Sequence, residues 1–245
     1  MKPVLIIRTG RAPAGIRGRN GDFPHWFRLS SGLRIDQIRA VDVVSGEELP
    51  APREVAGAII TGSASMVTER ARWSERCAGW IRDAMDVDLP LFGVCFGHQL
   101  MAHALGGHVD YLPGGREMGT LQINLLPAGN DDDLALPQNF RAHTTHEQSV
   151  LELPAGCSAL ARSTRDAHQL IRYGPHAIST QFHPEFSAEI MRAYIKRKHE
   201  DMRREGTNPR EIFKAVAATP IARRLLFRFA RHHGWTSTAT ERRPF

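Results

Sequence analysis

The sequence predicts an α/β fold: an open, mostly parallel sheet flanked by helices, with a helical extension at its C-terminus. Two observations carry that reading. Short apolar runs at 4–7, 57–60, 89–94 and 177–182 suit buried strands, and each breaks off into small or turn-forming residues. Between them the apolar residues recur at helical spacing, most plainly Trp73, Cys77, Trp80, Ile81 and Met85. Strands alternating with helices are the mark of a parallel sheet built from crossovers.

Taken in order, the strand at 4–7 opens the chain, and its apolar part is too short for a signal peptide. Residues 9–24 read as a long, basic, glycine-rich loop, either mobile or functional. It should leave the C-terminal edge of the sheet, where open α/β sheets bind ligands. A helix over 26–33, a strand over 38–44 and a proline-flanked turn at 46–53 follow. The strand at 57–60 runs into Thr61-Gly62-Ser63-Ala64-Ser65, a loop of small residues that can offer free backbone N–H groups to an oxyanion. The helix over 73–85 carries an aromatic stripe that reads as core.

The most informative stretch is Leu89-Pro90-Leu91-Phe92-Gly93-Val94-Cys95-Phe96-Gly97-His98-Gln99. A buried strand leads straight into a cysteine, and a helix starts at once behind it. That is the geometry of a nucleophile elbow, which lifts one side chain clear of the sheet. Gly93 and Gly97 flank Cys95 where a sharp turn leaves no room for a Cβ. The helix points its positive end at the sulfur and favours the thiolate, the attacking form. Taken alone, Gly-x-Cys-x-Gly fits a buried structural cysteine as well. A second stretch tips the balance: the strand at 177–182 ends in His183-Pro184-Glu185. A cysteine nucleophile needs a base, and the base needs a third group to orient its ring. His183 and Glu185 are of those two types, and Pro184 stiffens the link between them.

Gly93-Val94-Cys95-Phe96-Gly97-His98-Gln99 together with Phe182-His183-Pro184-Glu185 resembles the class I (triad-type) glutamine amidotransferase domain, and is similar to the amidotransferase half of GMP synthases. The likeness runs in order from about residue 3 to about residue 187, with its two motifs 88 residues apart. It implies a flavodoxin-like sheet and a catalytic triad of Cys95, His183 and Glu185. It also implies an oxyanion hole from the backbone N–H of Phe96 and that of Ser63 or Gly62, and a substrate glutamine held near Gln99. The family's usual loop reads Gly-Gly or Asn-Gly followed by Pro; here Ser63 stands at the second glycine. A backbone donor survives that change, although a peptide flip is harder. The family's histidine within a Ser-His-Gly-Asp stretch aligns with His146, where Gln148 replaces the acid, and His146 is expected at or near the substrate.

Past the elbow helix, strands are expected at 109–112 and 121–126, around a glycine-rich turn at 113–119. Asn130-Asp131-Asp132-Asp133 reads as a surface turn without the EF-hand pattern. His143 and His146 are too few for a metal site. Closing strands follow at 157–162, 168–173 and 177–182, then helices over 188–204, 210–218 and 221–233. Asn208-Pro209 and Thr219-Pro220 are N-cap and N1 pairs that open the last two. The organisation expected is a domain at 1–187, a helical extension at 188–235 packed on it, and a flexible tail at 236–245, with the last dozen residues frayed.

Composition narrows the partners. The formal net charge of +6 is uneven: residues 190–245 carry 14 Lys+Arg against 5 Asp+Glu, and residues 1–189 carry 18 against 21. The basic tail has no interleaved aromatics and no nucleic-acid signature, so a solvated helical face or a partner surface is expected rather than nucleic acid. No run approaches the length of a membrane span. Three cysteines, an odd and small number, fit a reducing cytoplasm without structural disulfides, with Cys77 and Cys157 inert. The resemblance implies hydrolysis of the glutamine γ-amide with no metal and no organic cofactor. There is no P-loop and no room for a synthetase domain, so ammonia would pass to a separate synthetase partner. Two other readings stand beside it: a stand-alone hydrolase or transferase of γ-glutamyl peptides or amines, and a catalytically silent binding or regulatory domain. A homo-oligomer is compatible with all three.

Overall fold

Four strands of buried β-formers make the first half of the sheet: β1 (Val4–Arg8), β2 (Ile38–Asp42), β3 (Gly57–Ile60) and β4 (Leu91–Val94). In the computed structural model, which describes residues 2–129 and 134–236, they join β11 (Ala177–Thr180) as five parallel strands in the order β2-β1-β3-β4-β11. The same sheet continues antiparallel through β10 (Leu170–Gly174), β9 (Ser158–Arg162), β6 (Glu117–Leu125) and β7 (Asn139–His146). A separate two-stranded ribbon pairs β5 (His108–Tyr111) with β8 (Gln148–Glu152).

The strand period of two divides β1 between two cores. Val4 and Ile6 join one hydrophobic cluster, Leu5 and Ile7 the other. The second cluster is closed by α3 (Arg72–Met85) and α4 (Phe96–Ala104), through Cys77, Trp80, Ile81, Phe96 and Leu100. The predicted stripe on α3 is therefore core. The first cluster is closed by α2 (Phe23–Ser31), α5 (Ala188–Arg197) and α8 (Pro220–His232). On α8, Ala222, Leu225, Leu226, Phe229 and Ala230 form the buried face, and the Phe229 ring meets Phe92 edge-on at 5.2 Å. No described helix is long and apolar enough to cross a membrane.

Several local expectations are corrected. The 9–24 segment is not an open loop. It folds α1 (Ala14–Asn20), Asp22 caps α2 and accepts from the Ala12 N–H, and Arg11 is bound to Asp42 at 2.8 Å. Gly15 and Gly18 concealed the helix by their low propensity. The helix expected over 188–204 is interrupted at Lys198 (φ −94°, ψ 10°), giving α5 and α6 (His199–Arg204) before α7 (Pro209–Lys214). β7 and β8 carry buried His143, Thr144, His146 and Gln148, so hydrophobic alternation does not reveal them. β6 begins at Glu117 rather than 121 for the same reason: Glu117 is a buried carboxylate. Fraying of the last dozen residues fails at Trp235, which is buried and donates to the Ala56 carbonyl at 3.2 Å. Thr236 is also buried, against the flexible tail expected from 236; residues 237–245 and the turn at 130–133 lie outside the described residues.

Candidate active site

The loops that follow β1, β3, β4 and β11 leave the same edge of the parallel sheet, and a cavity of about 540 Å³ opens there. Cys95 stands between β4 and α4 with φ 53° and ψ −105°, a strained conformation for a residue with a Cβ. What holds it is the packing of the elbow. A Cβ on Gly93 would lie 2.7 Å from the Gly97 carbonyl oxygen, and one on Gly97 would run into the Ile60 carbonyl. The Cys95 N–H is tied to the Thr180 carbonyl at 2.8 Å, which joins the elbow to the strand that delivers the histidine.

His183 sits just past the end of β11, 3 % exposed, with its N–H on the His143 carbonyl at 2.8 Å. Its Nδ1 lies 2.7 Å from Glu185 Oε1, and its ring stacks on Phe186 with centroids 4.0 Å apart. Nδ1 is therefore the protonated nitrogen facing the carboxylate, and Nε2 is left without another partner. A Cβ placed on Gly62 would lie 3.2 Å from His183 Cε1 and 3.7 Å from Cys95 Cβ, so thiol and imidazole share one narrow space. Burial alone would lower the His183 pKa. The negative charges of Glu185 and Cys95, with the Glu185 hydrogen bond, outweigh it and push the value up to about 10.

The Thr61–Ser63 loop is fixed from behind. The Thr9 hydroxyl donates to the Thr61 carbonyl at 2.8 Å and stands 3.1 Å from the Gly62 carbonyl. In a trans peptide the N–H points opposite to the C=O, so tying back the Gly62 oxygen turns the Ser63 N–H away from Thr9. Among the described residues, the N–H groups of Gly62, Ser63 and Phe96 make no hydrogen bond. Unpaired backbone donors beside a nucleophile are the material of an oxyanion hole.

Cys95, Phe96, Ser63, Gln99, His146 and His183 all line this cavity; Gly62 backs it, and Glu185 lies behind the imidazole. Two of them sit differently from what the sequence suggests. Gln99 uses its side-chain N–H groups within the protein, on the Gln148 carbonyl at 2.7 Å and Gln181 Oε1 at 2.9 Å. His146 has both ring nitrogens engaged, Nδ1 with the Gln148 carbonyl at 2.9 Å and Nε2 with Glu117 Oε2 at 3.1 Å, so it has no ring nitrogen left for a ligand. His143, three positions before it on β7, lies on the opposite face of the strand, and burial pushes its pKa down to about 4. Glu117, His146 and Asp166 place ligand atoms within 4.8 Å of one another. Their contacts are those of a closed hydrogen-bond network: Ser163 and Gln169 also donate to Glu117, at 2.7 and 2.9 Å.

A search of family models matches residues 37–201 to the class-I glutamine amidotransferase model. The chain belongs to the class-I glutamine amidotransferase family. Among curated relatives, gamma-glutamyl peptidase 5 of Arabidopsis thaliana is 28 % identical over 173 residues, covering 68 % of this chain and 67 % of the peptidase. A subunit of the glutamine-hydrolyzing GMP synthase of Methanosarcina acetivorans is 34 % identical over 170 residues, covering 68 % of this chain and 84 % of its own length. A glutamine amidotransferase from Thermotoga maritima shares the fold with a TM-score of 0.76 at 19 % identity, over 95 % of this chain and 98 % of that one.

Sequence reasoning missed the residues that wall the cavity from a distance: Arg11, Arg116, Thr145, Tyr194, Arg197 and Lys198. None sits in a motif. Arg11 lies beside the expected ligand edge and offered a hint, whereas α5 comes over the site only through tertiary packing.

Proposed function

We propose that the chain hydrolyses γ-glutamyl amides through a γ-glutamyl thioester on Cys95. The observation that carries the reading is that Cys95 and His183 line one cavity, with Glu185 behind the imidazole and the unpaired backbone N–H groups of Gly62, Ser63 and Phe96 around them. The Cys95 thiolate adds to the γ-carbonyl carbon, and the N–H groups of Phe96 and of Ser63 or Gly62 hold the oxyanion. The C–N bond then breaks, and His183, protonated at Nε2 and oriented by Glu185, gives its proton to the departing amine. Water adds to the thioester, passing a proton back to His183, and glutamate leaves with the thiolate restored.

Glutamine is the smallest substrate of this kind, and its nitrogen would leave as ammonia. Similarity to the glutamine-hydrolyzing GMP synthase favours delivery of that ammonia to a separate synthetase; similarity to the gamma-glutamyl peptidase favours larger γ-glutamyl compounds and no partner. The test is glutamate and amine release from glutamine and a set of γ-glutamyl amides by the pure chain and by Cys95→Ala. Loss of at least about 10⁴-fold in kcat for the variant, with its melting temperature kept, is expected. Full activity of the variant would contradict the assignment.

A further inference from the structure

Ammonia needs only room to depart, yet the cavity is also walled by Tyr194, Arg197, Lys198 and Asp201, from the end of α5, the break behind it and α6. We propose that this wall is a subsite for the amine half of the substrate, and that it selects γ-glutamyl compounds whose amine carries a carboxylate, such as γ-glutamyl dipeptides. The inference rests on the hydrolase reading given above.

The charges of the wall point that way. Arg11 and Arg116 are neutralised by Asp42 and Glu205, at 2.8 and 2.9 Å, which leaves Arg197 and Lys198 on the cavity wall with two carboxylates, Glu147 and Asp201. Both carboxylates are already shared. Glu147 binds Arg116 at 2.6 Å and lies 3.6 Å from Lys198; Asp201 binds Arg204 at 2.5 Å and lies 3.6 Å from Lys198. Arg197 is exposed and has no carboxylate within ion-pair distance among the described residues. A carboxylate on the substrate meets an uncompensated guanidinium there, whereas an ammonium meets repulsion.

Tyr194 adds a fixed donor. Its ring stacks on Phe186, itself stacked on His183, so it is held relative to the catalytic imidazole. Its hydroxyl has no hydrogen-bond partner among the described residues. Burial, with the charges of Glu185 and Cys95, raises its pKa, so it stays a phenol able to donate to a carboxylate. One unpaired guanidinium, Arg197, with a fixed neutral donor suits an anion that must be oriented.

The experiment compares kcat/KM for γ-glutamylglycine, γ-glutamyl methylamide and mono-γ-glutamyl diaminobutane, whose amine halves are anionic, neutral and cationic. The expected result is a fall in that order, about tenfold from first to last, carried in KM and shrinking as salt is added. In Arg197→Glu/Lys198→Glu the order should invert, and in Arg197→Lys/Lys198→Arg it should persist. Tyr194→Phe should raise KM for the dipeptide more than for the methylamide. Equal kcat/KM for the three compounds, or an order indifferent to charge reversal, would overturn this inference and leave the hydrolase reading standing. No glutamate from any of the three while glutamine is still hydrolysed would overturn this inference alone, and none from glutamine either would overturn both.

Discussion

At the ring of His183 two effects oppose each other: burial disfavours the imidazolium, and the charges of Glu185 and Cys95 favour it more strongly. The raised pKa has a definite sign. The stability gained by the charged ring is fully present below the ordinary histidine value of 6.5 and is lost as pH climbs through about 10. The alkaline limb of kcat/KM should therefore fall near pH 10 in the native enzyme. It should move to lower pH in Glu185→Gln, together with a loss of about 10³- to 10⁴-fold in kcat. A limb that does not move with Glu185 would remove the carboxylate from its role. Cys77 offers a contrast within the chain: burial pushes its thiol up to about 12, which keeps it unreactive as its helical setting suggested. The proposed triad was legible in the sequence because each part is local: a glycine-flanked cysteine after an apolar run, and a histidine two residues before its acid. Glu117, Tyr194 and Arg197 were illegible because nothing local marks them; their roles follow from neighbours far along the chain.

Among the elements, the β4–α4 elbow depends on missing side chains. Gly97→Ala should destabilise the fold by about 1–3 kcal/mol, because its Cβ meets the backbone carbonyl of Ile60 and neither element can yield easily. Gly62→Ala should act otherwise. Its Cβ would press on the His183 ring at 3.2 Å, so activity should drop at least about tenfold while the denaturation midpoint holds. Equal behaviour of the two variants in denaturation and turnover would contradict this division. The β6–β7 pair carries a second dependence, since its register sets Glu117 opposite His146. Burial would raise the Glu117 pKa, but hydrogen bonds from His146 and Ser163 outweigh it and hold the carboxyl below its ordinary range. Its contribution is therefore present above the ordinary carboxyl pKa and lost as pH falls through the lowered one. Glu117→Ala should cost about 3–5 kcal/mol at neutral pH, read by urea unfolding, and less at acid pH. This strand pair was the least legible part of the fold, because buried Glu117, His143, Thr144 and His146 interrupt its apolar positions.

For the whole molecule, the C-terminal helices are part of the same core. Trp235 fills the space over Gly57 and meets the Phe229 ring edge-on at 5.4 Å, while its carbonyl accepts from Gln37 at 3.0 Å. Trp235→Ala should lower stability by about 3–5 kcal/mol, and thermal unfolding measures it. A neutral result would mean that the chain end adds nothing to the fold. The alternation of strand and helix made the parallel half of the sheet legible, since its runs are apolar and end in turn residues. What the sequence could not show is that α5, placed by Ser187 capping and by Phe186 under its Tyr194, comes back over the catalytic edge. Through that return, the basic C-terminal quarter supplies Arg197 and Lys198 to the wall of the cavity.

The proposed mechanism requires that sulfur at position 95 carry the glutamyl group during turnover. Acid quenching of the working enzyme with a γ-glutamyl substrate, followed by peptide mass spectrometry, reads this directly. One γ-glutamyl group is expected on the peptide holding Cys95 and absent in Cys95→Ala. Turnover at the native rate with no adduct on that peptide, or with the adduct on another side chain, would refute it.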